Sequence, residues 1–80
     1  MKDRVIKIVS QIMNVPIEKL DEDSSPDTVT NWDSLKHMNL ILALEEKFAI
    51  AFSDDEVVEM LSIKRIVEVL IKKGIQDNVI

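Results

Sequence analysis

The chain contains no cysteine, one histidine, one glycine and two prolines among its 80 residues. Without cysteine, neither a disulfide framework nor a thiolate metal site can form. A single histidine also excludes the usual zinc sites, which need several such ligands. Turns between strands rely on glycine, so the composition argues against an all-β fold.

Long hydrophobic runs are missing as well. No apolar run approaches the roughly 20 residues that a membrane-spanning helix needs, and no segment resembles a signal peptide. We therefore expect a cytoplasmic protein without membrane insertion. The short length predicts one domain, residues 1–80, which buries about 60% of its unfolded surface and leaves little room for a catalytic cleft.

Acidic residues exceed basic residues by 15 to 10, which gives a net charge of −5. A protein of this charge repels nucleic acid and anionic membrane surfaces. We therefore expect protein partners with basic patches and no nucleic-acid partner.

Hydrophobic periodicity predicts an all-α fold, a small bundle of three main helices and one short helix. The first helix ends at Asn14, just before Pro16, and its apolar residues recur at three-four spacing: Val5, Ile8, Val9, Ile12 and Met13. The second runs from about Ser34 to Phe48 after the N-cap Asp33. Its apolar stripe is broad, as expected for a helix with several neighbours: Leu35, Met38, Leu40, Ile41, Leu42, Leu44 and Phe48.

Two further helices follow. Ser53 and Glu56 form a capping box that opens the short helix, whose apolar side is Val57, Val58, Met60 and Leu61. Ser62 then caps the last helix, Gly74 ends it, and residues 75–80 form a frayed tail.

A long loop joins the first two helices. Residues 14–32 show no sustained period and include a polar stretch at 21–27. A loop of this length in a compact domain is usually either functional or disordered. We expect it to be pinned to the body by Ile17, Leu20, Val29 and Trp32.

The motif Trp32-Asp33-Ser34-Leu35 lies where the loop meets the second helix. Serine alone at this place is typical of an N-cap. Together with the segments ALEEKF at 43–48 and Val15-Pro16-Ile17 to Asp21, however, the motif resembles the acyl carrier proteins. The resemblance extends over about residues 2–73 in length and element order.

The resemblance implies that Ser34 is the covalent attachment point of 4'-phosphopantetheine, with Asp33 and Leu35 as the flanking motif residues. A separate phosphopantetheinyl transferase takes the group from coenzyme A, and its terminal thiol then carries an acyl group as a thioester. The protein is thus expected to be a non-catalytic carrier in fatty-acid, polyketide or related specialised biosynthesis. A helix N-terminus also stabilises a nearby anion by about 0.3–1 kcal/mol. For Asp33 two roles are expected that can hold at once: it caps the helix, and it is recognised by the transferase through a shared magnesium ion.

The polar side of the second helix is the docking surface that the resemblance implies. That surface is acidic in the family, but here Lys36, Asn39 and Lys47 stand where acids are common. Weaker electrostatic steering favours a carrier dedicated to one pathway over a housekeeping fatty-acid carrier. The alternative is that these are ordinary solvated charges. The predicted docking residues are Lys36, Asn39, Glu45, Glu46, Asp54, Asp55, Glu56 and Glu59.

A pocket for the acyl chain is also predicted. Burial of each methylene contributes about 0.8 kcal/mol, so a short chain can be held between helices. For each residue of the set the alternative is ordinary core packing. The predicted lining is Met38, Leu42, Leu44, Ile50, Phe52, Val57, Met60 and Ile66.

Two aromatic rings flank Ser34. Trp32 is expected to pack the loop onto the body. His37 follows Ser34 by one turn, but no third group is evident to orient it as a base and no glycine-rich turn supplies an oxyanion site. We expect it to face solvent, with no catalytic or metal-binding role.

Other functions fit less well. A calcium loop starting at Asp21 fails because Pro26 and Trp32 stand where glycine and glutamate are required. The acidity and the lack of a basic recognition helix argue against a DNA-binding helix-turn-helix. Two alternatives stay open: an aminoacyl or peptidyl carrier, and an unmodified helical interaction module in which Ser34 is only a cap. A monomer is expected in each case.

Overall fold

In the computed structural model, which describes residues 1–75, the chain folds into four α-helices and one short 3₁₀ helix, with no strand in this range. The predicted all-α bundle is confirmed. None of the helices within residues 1–75 has the length and hydrophobicity to cross a bilayer. In chain order the elements are α1 (Lys2–Met13), the 3₁₀ helix (Ile17–Lys19), α2 (Ser34–Phe48), α3 (Asp54–Glu59) and α4 (Ile63–Lys72).

The core lies where α1 packs against both α2 and α4. Each of these helices buries residues at three-four spacing, as amphipathic helices do. The short α3 lies against α4 and has no buried residue of its own. The fully buried side chains are Val5, Val9, Met13, Leu40, Leu44, Met60, Ile63, Ile66 and Leu70.

Three residues with positive φ end the main helices. Asn14 (φ 59°) ends α1 as predicted, and Ala49 (φ 56°) ends α2 in the same way. Gly74 (φ 90°) ends α4, where its N–H donates to the Ile71 carbonyl and the N–H of Ile75 donates to the Leu70 carbonyl. Such paired hydrogen bonds satisfy the last carbonyls of a helix.

The predicted frayed tail does not begin at Ile75. This residue is half-buried and packs against the core, so the chain stays attached to the bundle through position 75. The rest of the predicted frayed tail, 76–80, lies outside the described residues.

The predicted apolar stripe of α2 is only partly buried. Leu35, Met38 and Leu42 are 70%, 47% and 59% exposed, so this part of the stripe lacks the neighbouring helices that its breadth predicted. The reason is that α3 is only six residues long and covers little of this side. Val58 in α3 and Leu61, just after it, are also exposed, although both belong to the predicted apolar side of the short helix.

The long loop is pinned to the bundle. Leu20, Val29 and Trp32 are buried as predicted. Ile17 is 48% exposed, so the prediction that it pins the loop was wrong. Backbone hydrogen bonds also hold the loop. The amides at the start of α4 donate to loop carbonyls, Ile63 to Ser24 (3.1 Å) and Lys64 to Glu22 (2.9 Å). At the end that leads to Ser34, the side-chain amide of Asn31 donates to the Met13 carbonyl at 2.9 Å and Trp32 is buried, so this end is fixed in place too.

Candidate functional site

Asp33 is the residue that caps α2. Its backbone is extended, and its Oδ1 accepts a hydrogen bond from the Lys36 N–H at 2.8 Å. Its carbonyl accepts the His37 N–H at 2.8 Å. The predicted N-cap is confirmed, and Ser34 is thereby the first residue inside the helix. Capping is done without Ser34.

The hydroxyl of Ser34 differs from the other serine hydroxyls of the chain. Ser34 is exposed, and within residues 1–75 its hydroxyl has no hydrogen-bond partner. The chain has six serines, and the other five use their hydroxyls to hold turns, loops or helix caps: Ser10, Ser24, Ser25, Ser53 and Ser62. Of the six serines, Ser34 alone therefore presents a hydroxyl that can be modified without breaking a hydrogen bond within residues 1–75.

The first turn of α2 suits a phosphodiester on that hydroxyl. A helix leaves its first N–H groups without partners and carries a partial positive charge at this end. Asp33 occupies the Lys36 amide, which leaves the amides of Ser34 and Leu35 for an anion. No acidic residue lies in the first turn, although the Asp33 carboxylate precedes it. The residues present thus fit a phosphopantetheine group.

His37 is buried, at 8% exposure, and the prediction of a solvent-facing side chain was wrong. Its ring links three parts of the fold. The indole N–H of Trp32 donates to Nδ1 at 3.0 Å, and Nε2 lies 2.9 Å from the carbonyl oxygen of Val57 in α3. Because indole is only a donor, Nδ1 must accept, and Nε2 carries the proton that is donated to Val57.

This arrangement gives His37 a structural role. Both ring nitrogens are occupied, so neither is available to take a proton from Ser34. The expectation that His37 is not a catalytic base therefore agrees with the geometry. A signal for its burial was present in the sequence, because position 37 precedes the buried Leu40, Ile41 and Leu44 by three, four and seven residues.

An open cleft of about 390 Å³ lies beside Ser34. Trp32 and His37 are its buried floor, and the side chain of Leu61, 43% exposed, stands at its edge. The lining residues are Pro26, Trp32, Asp33, Ser34, His37 and Leu61.

The predicted docking residues fall into two groups. Two of them have partners within the fold. The Oε2 of Glu45 accepts the Phe52 N–H at 2.9 Å, and Glu56 closes the capping box with Ser53 while its Oε1 lies 3.0 Å from Nζ of Lys73. The Ser53 N–H, followed by Lys73, lowers the pKa of Glu56 from its ordinary value. The others lie on the surface of α2 and α3, with Lys36 half-buried: Lys36, Asn39, Glu46, Asp54, Asp55 and Glu59.

The predicted acyl-pocket residues lie at different depths. Leu44, Met60 and Ile66 are fully buried in the core, whereas Met38 and Leu42 are exposed. Between these extremes are three half-buried residues that pack against the core: Ile50, Phe52 and Val57. The acyl pocket stays a prediction.

Comparison with known proteins identifies relatives that match most of the chain. A family model described as a phosphopantetheine attachment site matches residues 3–70. The chain is 30% identical over 76 residues to an acyl carrier protein of Buchnera aphidicola subsp. Acyrthosiphon pisum (strain Tuc7), with 95% of each chain covered. It is 29% identical over 74 residues to an acyl carrier protein of Buchnera aphidicola subsp. Schizaphis graminum, which covers 92% of this chain and 94% of the relative.

Proposed function

The chain belongs to the acyl carrier protein family, whose members are non-catalytic carriers of phosphopantetheine, and on that premise we propose that Ser34 is the serine that carries the group. The observation that supports this assignment most strongly is the state of its hydroxyl. Ser34 is exposed at the N-terminus of α2 and is not needed for the cap, because Asp33 makes that hydrogen bond. The two neighbouring residues of the motif thus have different roles: Asp33 caps the helix, and Ser34 accepts the phosphopantetheine group.

Modification of Ser34 is a phosphoryl transfer. Its Oγ attacks the phosphorus that bears the pantetheine in coenzyme A, a phosphodiester forms, adenosine 3',5'-bisphosphate leaves, and the hydroxyl proton passes to a base of the transferase. The amides of Ser34 and Leu35, which have no acceptor within residues 1–75, would be available to hold the new negative charge. The bound arm supplies a terminal thiol that holds an acyl group as a thioester.

Asp33 has a second proposed role, in recognition by the transferase. Its cap hydrogen bond uses Oδ1, which leaves Oδ2 for a magnesium ion shared with the transferase. A carboxylate beside a phosphate is unfavourable on electrostatic grounds alone, and a bridging cation removes that repulsion.

The partners we propose are the transferase and the enzymes that load and process the acyl group. They would dock on the exposed side of α2, where Lys36 and Asn39 replace the acids common in the family and Leu35 adds exposed apolar surface. Such a surface has weaker long-range attraction for basic patches. It supports a carrier dedicated to one pathway of fatty-acid, polyketide or related biosynthesis. That the chain acts as a monomer of one domain is a further part of the proposal.

Incubation with coenzyme A, magnesium and a broad-specificity phosphopantetheinyl transferase tests the assignment. Intact-mass spectrometry should show a gain of one phosphopantetheine for the wild type and none for Ser34→Ala. The matched control is Ser25→Ala, a loop serine whose hydroxyl accepts the Asp27 N–H, and it should be modified like the wild type. Failure of the folded wild type to gain mass with an active transferase would favour the unmodified interaction module.

A further inference from the structure

The cleft beside Ser34 has the properties of a binding site for an apolar group. Ser34 lies on its rim, and its lining is mainly apolar. Pro26 is half-buried, and Leu61 keeps 43% of its surface exposed although it stands next to the buried Trp32. Concave apolar surfaces of this kind are where small ligand groups bind.

The floor of the cleft is held rigid and carries no unmet polar group. The Trp32 N–H is bound by His37 Nδ1, and the other ring nitrogen of His37 is bound by the Val57 carbonyl. The two rings lie with their centroids 6.2 Å apart at 26°. A group that enters the cleft therefore meets ring and aliphatic surface, and it disturbs no hydrogen bond.

We propose, building on the assignment of Ser34, that this cleft holds the phosphate-proximal segment of the pantetheine arm. That segment contains a carbon with two methyl groups next to the ester carbon, and these methyls are the most apolar part of the arm. They contact Leu61 and the floor at Trp32, while the amides and the thiol extend into solvent. The covalent tether keeps the segment at high local concentration beside the cleft. A small apolar contact is therefore enough to favour the position in the cleft.

The competing location is the exposed apolar side of α2 formed by Leu35, Met38 and Leu42. All three are substantially exposed and follow Ser34 along the helix. A convex helix surface, however, contacts a small group from one side only, whereas the open cleft offers contact with both Leu61 and the buried rings of its floor. The buried area, and with it the hydrophobic contribution, is therefore larger in the cleft.

Nuclear magnetic resonance of the phosphopantetheinylated protein tests this location. We expect nuclear Overhauser contacts from the two arm methyls to Leu61 and to the Trp32 ring. We also expect the single indole N–H resonance to shift between the unmodified and modified forms. Leu61→Ser should abolish the contacts to position 61 and at least halve the indole shift. Met38→Ser, at a residue of similar exposure (47% against 43%) outside the cleft, should retain both.

Intact mass and circular dichroism on the same samples separate the possible failures. A protein that gains the mass at Ser34 but shows arm contacts only to Leu35 or Met38, or none at all, overturns the cleft assignment and leaves Ser34 as the attachment site. A protein that gains no mass at Ser34 overturns both. Because Leu61 lies outside the core, Leu61→Ser is expected to stay folded, and an unchanged far-ultraviolet spectrum verifies it.

Discussion

The indole N–H of Trp32 donates to Nδ1 of His37 across 3.0 Å, and this hydrogen bond joins the end of the long loop to the first turns of α2. On its other side the His37 ring reaches the Val57 carbonyl of α3. One buried imidazole thus connects three segments around Ser34. The exposed attachment serine is presented by a junction whose own polar groups are satisfied.

Replacement of His37 by leucine should destabilise the fold by about 1–3 kcal/mol, because the buried indole N–H then has no acceptor. Urea unfolding, followed by the fluorescence of the single tryptophan, measures the change. Asn39→Leu, at an exposed position of the same helix, is the control and should stay within about 0.5 kcal/mol of the wild type. Equal stability of His37→Leu and Asn39→Leu would show that the bridge contributes little.

Two substitutions at Asp33 separate capping from recognition. Asp33→Ala removes the acceptor of the Lys36 N–H and should cost about 0.5–2 kcal/mol of stability. Asp33→Asn keeps a good cap, so its stability should be close to the wild type. If the transferase recognises the negative charge, the modification rate of Asp33→Asn should be at least about tenfold lower than that of the wild type. This is the decrease that the loss of a charged contact worth about 1.5–3 kcal/mol implies. Wild-type modification rates for Asp33→Asn would restrict Asp33 to capping.

The lowered pKa of Glu56 makes one part of the stability pH-dependent. The Ser53 N–H at 2.8 Å, with Lys73 at 3.0 Å, favours the charged carboxylate. A carboxyl whose pKa is lower in the folded state stabilises the fold above its unfolded pKa, and this contribution is lost as the pH falls through the folded pKa. Glu56→Gln should therefore be less stable than the wild type at neutral pH, and the difference should vanish in acid.

Glu59→Gln is the control for this titration, since Glu59 is exposed on the same helix and forms no salt bridge within residues 1–75. Added salt should reduce the Glu56→Gln difference, because both Glu56 and Lys73 are partly exposed and their attraction is screened. A difference that persisted unchanged into strong acid would mean that shape, and not charge, accounts for it.

Ala49 is a site where glycine should stabilise the protein. Its φ of 56° is left-handed, a conformation that costs a non-glycine residue about 1–2 kcal/mol. Ala49→Gly removes this strain and should raise the free energy of unfolding by about 0.5–1 kcal/mol, after the added flexibility of the unfolded chain is subtracted. Ala43→Gly, in the middle of α2, should have the opposite sign, a loss of about 0.5–1 kcal/mol. The same sign for both in thermal or urea unfolding would contradict the strain at Ala49.

Local signals in the sequence predicted the helix boundaries well. The expected span of α2, Ser34 to Phe48, is the observed one, because Asp33 is a strong cap whose hydrogen bond is formed within three residues. The capping box of Ser53 and Glu56 is present with both hydrogen bonds. These signals depend on neighbouring residues, which a sequence shows directly.

The orientation of α2 was less predictable. Its apolar residues extend around most of the helix, so periodicity could not tell which side faces α1. The side of α2 that is buried depends on the positions of α1, α4 and the short α3. In this packing Leu35 and Met38 are exposed and His37 is buried. The hydrogen bond from His37 to Val57 joins residues 20 positions apart. No local pattern predicts such a contact.

Tandem mass spectrometry of the modified protein is the most direct test of the central claim, that Ser34 carries the group. Trypsin cleavage after Lys19 and Lys36 yields the peptide 20–36, which contains Ser24, Ser25 and Ser34. We predict that the fragment ions place one phosphopantetheine on Ser34 and that Ser25→Ala gives the same fragment assignment. A group found on Ser24 or Ser25, in any other peptide, or on none would contradict the account.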